Sequence, residues 1–170
     1  MKILFTDKHP LMDCLEGHEI IQGDHVFRSS HVDMDDPDPS DYPLKKILRN
    51  ENPDVVFLVD LFKAFRGKRV FFHRSAVLSW SSSSYQKVVV AIGNDEPEMF
   101  NANLQKTRSC IGKIDHCNLY VCNTEELAIR ASKYYRTALF DGANVEPVIE
   151  AINAAIKKPT ILGDERSPYL

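Results

Sequence analysis

Pro53-Asp54-Val55-Val56-Phe57-Leu58-Val59-Asp60 is the stretch on which the fold turns. Its apolar run is too short for a buried helix and rich in β-branched and aromatic residues, which suit a pleated backbone. Alternate residues of a strand point to opposite faces, so a run that is apolar throughout leaves no face for water. Such a strand belongs inside a parallel sheet covered on both sides. Lys87-Val88-Val89-Val90-Ala91-Ile92 has the same character. Outward from this pair, Lys2–Phe5, His18–Ile21, Arg69–Phe72, Asn118–Cys122 and Thr137–Phe140 read as further strands.

Helical signals fall between them. Residues 43–49 and 97–111 each open on a proline. Asn123 stands at the head of Thr124-Glu125-Glu126 and is read as a cap, with Glu126 completing a capping-box pattern and the helix running to about Tyr135. A last helix opens at Glu146-Pro147, aligns Val145, Val148, Ile149, Ile152 and Ile156 on one face, and stops at Pro159. Strands alternating with helices predict an α/β fold, a three-layer Rossmann-like domain with a mostly parallel sheet of about six to seven strands. One domain spans residues 1–170. Two stretches break the rhythm. Residues 33–41 hold five aspartates and two prolines and read as an exposed acidic loop. Residues 79–85 read as a Ser-rich loop carrying Trp80 and Tyr85.

Composition excludes several classes. A chain of 170 residues that is 44% hydrophobic and 26% charged can build an ordinary core, so disorder and fibrous folds are out. Its 21 Lys and Arg against 24 Asp and Glu leave a net charge of -3, which gives no dominant grip on nucleic acid. No run approaches the ~20 apolar residues of a membrane span. Lys2-Ile3-Leu4-Phe5 meets Asp7, Lys8 and His9 at once, so no signal-peptide core is read and a cytoplasmic location is expected. Four cysteines without a C-x-x-C pair, and histidines 9, 18, 25 and 31 without a common face, predict no metal site. No cofactor is expected either. The turn Thr6-Asp7-Lys8-His9-Pro10 has no glycine for a pyrophosphate, and neither a P-loop nor a G-x-S-x-G elbow occurs.

In an open parallel sheet, ligands bind outside the carboxyl ends of the strands. The residues following each run are therefore the candidate site: Asp7, Lys8 and His9; Asp60; His73 and Arg74; Asn94, Asp95 and Glu96; Asn123 and Thr124; Asp141 and Gly142. Histidines and carboxylates there could act as general acid or base.

Asn118-Leu119-Tyr120-Val121-Cys122-Asn123-Thr124-Glu125-Glu126-Leu127-Ala128 and Thr137-Ala138-Leu139-Phe140-Asp141-Gly142-Ala143-Asn144 form a longer pattern. Together with Met1–Phe5 and Lys87–Asp95, it resembles the N-terminal, acceptor-side domain of GT-B-fold glycosyltransferases. The chain departs from that family at the first loop, which lacks glycines, and at Asn94-Asp95, where the family often carries His-Asp. It ends at Leu170, where the family's donor-binding domain would begin. The resemblance implies a glycosyltransferase-like protein that binds a glycan or another polar small molecule, or a subunit needing a separate donor-binding partner. Within it, Asp95, His9 and His73 are the expected catalytic contributors, the two histidines as proton or hydrogen-bond donors. Asp7, Asn94, Glu96, Asn123, Thr124, Asp141 and Gly142 are expected to bind the ligand.

Two other classes stand beside this reading. One is a non-enzymatic structural or interaction protein, viral or accessory, or a homo-oligomer, that reuses the scaffold. The other rests on Asp7-Lys8 and Asp60, which resemble the first and third strand ends of a response-regulator receiver with Asp60 as phosphoacceptor. Lys8 stands there in place of that family's second acid.

Overall fold

In a computed structural model of the chain, the structure describes residues 1–23, 43–59, 76–84, 86–93 and 119–157. These residues form an α/β fold around one six-stranded, all-parallel sheet of Rossmann-like three-layer type. In chain order come β1 (Lys2–Phe5), a 3-10 turn (Pro10–Cys14), β2 (Glu19–Gln22), α1 (Pro43–Glu51) and β3 (Val55–Leu58). Then follow α2 (residues 76–81), β4 (Val88–Gly93), β5 (Leu119–Cys122), α3 (Glu125–Ala131), β6 (Arg136–Leu139) and α4 (Glu146–Lys157). The expected strand at 69–72, the helix at 97–111 and the acidic loop at 33–41 lie outside the described residues.

The sheet order is β2-β1-β3-β4-β5-β6. β2 lies on one side of β1 and β3 on the other, so the chain reverses its direction of travel across the sheet between β2 and β3. That reversal defines a topological switch point between β1 and β3.

The core is where the sequence pattern puts it. All four residues of β3 and of β5 are buried, as are Val88 to Ile92 of β4, so both faces of the sheet centre are covered. Full burial of each such Val, Leu, Ile or Phe contributes about 1.5–3 kcal/mol relative to exposure. In α4, Val148, Ile152 and Ala155 bury one face against the sheet, at spacings of four and three. Phe5 and Phe57, paired across the ladder, stack with ring centres 4.5 Å apart.

Three local readings are corrected. Thr124 rather than Asn123 caps α3: its Oγ1 accepts from the Leu127 N–H at 3.2 Å. The helix stops at Ala131 instead of about Tyr135, because the Tyr134 and Tyr135 N–H groups both turn back to the Ala131 carbonyl and β6 begins at Arg136. Finally, α2 takes in Ser79, Trp80 and Ser81, the opening of the stretch read as a loop. Trp80 is buried there, and its Nε1–H donates to the Pro53 carbonyl at 3.1 Å. It is a core residue and offers no stacking surface to a ligand.

The amino edge of the sheet is tied down. Asp54 accepts from the Lys2 N–H through Oδ2 at 2.8 Å, while its own backbone joins β1 and β4. Lys2 bridges Glu51 at 3.0 Å and Glu19 at 3.7 Å. Lys87 lies 5.5 Å from the centre of the Trp80 ring and donates to the Pro53 carbonyl at 2.7 Å. Burial pulls the Lys87 ammonium below its ordinary range, against the nearby Asp54 carboxylate. These groups join β1 to β2, to α1 and to the segment before β3, and join Lys87 and α2 to Pro53. The amino edge is therefore a stability face.

Candidate functional site at the carboxyl edge

The opposite edge is built around Thr6, the first residue after β1. Thr6 is 1% exposed, and its N–H and its hydroxyl both donate to the Phe57 carbonyl, each at 3.1 Å. The same hydroxyl accepts from the Val59 N–H at 2.9 Å. One side chain thus continues the β1–β3 ladder beyond its last paired residues, where backbone groups would otherwise be buried without partners. It forms the floor of the switch point. Gly23, donating to the Phe5 carbonyl at 2.8 Å, closes the β2 side in the same way.

From this floor the chain reaches across the sheet. β1 and β6 are separated by three strands, yet the His9 ring lies 6.2 Å from the Phe140 ring, tilted by 51°. Pro10 fixes the backbone for the 3-10 turn, and His9 caps it: Nδ1 accepts from the Leu11 N–H at 3.1 Å. Leu11 is fully buried and anchors the turn. Burial lowers the His9 pKa below its ordinary value, so the ring is neutral at physiological pH. Asp7 and Lys8 lie between Thr6 and His9, with Lys8 exposed and its N–H bonded to Asp7 Oδ1 at 2.8 Å.

The end of β6 forms the far wall. Asp141 accepts from the Asn144 and Ala143 N–H groups at 2.8 and 2.9 Å. These two bonds, Asn144's first, hold its carboxyl below the usual carboxylate range. Gly142 sits at φ 98°, where a side chain would strain the backbone, and Asn144 Oδ1 accepts from Glu146 N–H at the head of α4. The end of β5 gives Asn123, exposed, and Thr124, whose hydroxyl is committed to its helix. The Cys122 thiol is buried and pushed up to about 12 by desolvation, so it is a packing group and no nucleophile.

Of the residues expected at the site, Asp7, His9, Asn123, Thr124, Asp141 and Gly142 all lie on this edge. The structure brings His9 to the end of β6, beside the segment holding Asp141 and Gly142. It also shows that Thr124 Oγ1 and Asp141 Oδ1 serve their own turns. Asp95, His73, Asn94, Glu96 and Asp60 lie outside the described residues. Thr6 and Phe140 were missed by sequence reasoning. A polar β-branched residue directly after the apolar run was the one signal for Thr6; nothing in the sequence links Phe140 to His9. Among the described residues, no three His, Cys, Asp or Glu side chains converge as a metal site would require. Nor is any described helix long and apolar enough to cross a membrane.

No family model, no curated protein and no solved structure matches this chain. The carboxyl edge offers a neutral imidazole, a carboxylate and an ammonium on one short segment, above a rigid floor. That set can hold a polar molecule by hydrogen bonds and orient it.

Proposed function

We propose that this chain is a glycosyltransferase-like domain that binds a glycan or another polar small molecule in the crevice at the carboxyl ends of β1 and β3. Where transfer occurs, a partner protein supplies the donor-binding half. One observation carries the reading. The reversal of strand order falls between β1 and β3, and the polar segment Thr6–His9 leaves the sheet at that point. Fold alone would not favour a ligand there, but a polar segment anchored at both ends, by Thr6 on β3 and by His9 at Phe140, gives a preformed wall. In this reading His9 and Asp7 contact the ligand, Asn123 and Asp141 shape the rim, and Asp95 contributes to the cleft where transfer occurs.

A thermal-shift screen of the purified chain against neutral oligosaccharides, nucleotide sugars, nucleotides and magnesium with acetyl phosphate tests this. A ligand present at 100 times its Kd stabilises the native state by about 2.7 kcal/mol, which such a screen resolves easily. Stabilisation by an oligosaccharide is expected. A response to acetyl phosphate and magnesium alone would replace the reading with a phosphoacceptor at Asp60. No response to any sugar or nucleotide sugar would contradict it and leave an interaction protein.

A further inference from the structure

We infer that His9 is a built hydrogen-bond donor of the crevice, with Nδ1 committed to the Leu11 N–H and Nε2–H left to meet an acceptor oxygen of a bound molecule. The inference rests on the proposed ligand site at the carboxyl edge and assigns the atom through which that site recognises its ligand.

The tautomer follows from the bond. A backbone N–H can only donate, so the 3.1 Å contact from Leu11 requires a lone pair on Nδ1. A neutral imidazole then carries its single hydrogen on Nε2. The half-buried ring is held neutral by desolvation, in agreement with this geometry. Among the described residues Nε2 has no hydrogen-bond partner. The ring cannot swing freely, since its own cap fixes one side and Phe140, itself buried, lies against it.

A donor fixed in this way has a narrow role. It cannot take a proton on Nε2, which already holds one, and protonation of Nδ1 would cost the bond from the Leu11 N–H. His9 therefore binds and orients an acceptor oxygen and is no general base. The oxygen can come from a sugar hydroxyl or from a phosphoryl group, since both accept from a neutral N–H.

Long-range proton–nitrogen NMR of the full chain at pH 7.5 tests the inference with two probes, maltose and inorganic phosphate. We expect a pyrrole-type Nε2 and a pyridine-type Nδ1 for His9, with the Nε2 signal moving on addition of one probe. Movement with maltose assigns the sugar hydroxyl, and movement with phosphate assigns the phosphoryl oxygen. The His9→Asn variant keeps an acceptor for the Leu11 N–H, while its shorter amide cannot place an N–H at the Nε2 position, so its amide spectrum should be retained while the active probe binds about tenfold more weakly. Hydrogen on Nδ1, or an Nε2 signal unmoved by both probes at high millimolar concentration, would overturn the assignment. Thermal stabilisation by maltose with Nε2 unmoved would remove His9 while leaving the crevice reading. Movement with phosphate but not maltose would uphold His9 and count against a glycan.

Discussion

Replacing Thr6 by valine removes one oxygen and keeps the shape of the side chain. In the folded chain that oxygen accepts from Val59 N–H at 2.9 Å and donates to the Phe57 carbonyl at 3.1 Å. The Phe57 carbonyl keeps its second donor, the Thr6 N–H, so its loss is small. The Val59 N–H has no such alternative, and Val59 is only 5% exposed. A buried donor left unpaired costs about 1–3 kcal/mol. A loss of about 2 kcal/mol lowers the folding equilibrium by a factor of about 30. With a urea slope of about 2 kcal/mol/M, the midpoint falls by about 1 M. Thr6→Ser is the control: it keeps the hydroxyl and deletes one methyl, worth about 0.8 kcal/mol. Urea unfolding of the two variants at equal slope, with amide exchange at Val59, reads both effects. Valine should cost more than serine and speed exchange at Val59. A valine variant within about 0.5 kcal/mol of the parent, or serine as costly as valine, would refute the claim that Thr6 is the floor of the switch point.

Three further outcomes follow from the same geometry. Thr124→Ala should cost about 1 kcal/mol in thermal unfolding and Asn123→Ala nearly nothing, since only Thr124 caps α3; the opposite order would return the cap to Asn123. Brief iodoacetamide treatment of the native chain followed by mass spectrometry should modify half-exposed Cys14 well before buried Cys122; the reverse order would contradict the packing of β5. The histidines make stability fall in acid. Burial holds His9 below its ordinary value of 6.5, and burial followed by the Met1 ammonium does the same to His18. The unfolded chain therefore takes up protons first as pH falls. Stability that is present above pH 6.5 is lost as pH drops through the lower folded values. Urea midpoints between about pH 7.5 and 5 should show a shallower loss for His9→Asn than for the parent, and an unchanged slope would contradict the buried, neutral ring.

The sheet was legible because its central strands carry no polar residue. Val55–Leu58 and Val88–Ile92 admit no orientation with a wet face, so parallel pairing under helices was the available solution. The edge strands were less clear. β6 has no clean alternation, with Arg136 and Leu139 exposed, Thr137 half-buried and Ala138 buried, and its start moved by one residue because the turn after Ala131 is set by backbone bonds that no side chain announces. The cap at Thr124 was misread because Asn123 and Thr124 are both good caps, and only the helix phase chooses between them. The opening of the Ser-rich stretch was read as loop because consecutive serines carry no helical apolar pattern, while Trp80 is held in the core from within α2. Its burial depends on Pro53, which is distant in sequence. At the site, the carboxyl edge could be named from strand ends alone. The pairing of His9 with Phe140 could not, since it joins segments separated by most of the chain and encoded by no local pattern.

The central claim is that ligands meet this chain at the carboxyl edge beside β1 and β3. Amide NMR mapping of the full chain with the oligosaccharide that stabilises it most tests that claim directly. Shifts should concentrate at Thr6, Asp7, Lys8, His9, Val59 and the segment from Phe140 to Asn144. Shifts centred instead on the amino edge, at Lys2, Asp54, Trp80 and Lys87, would contradict it.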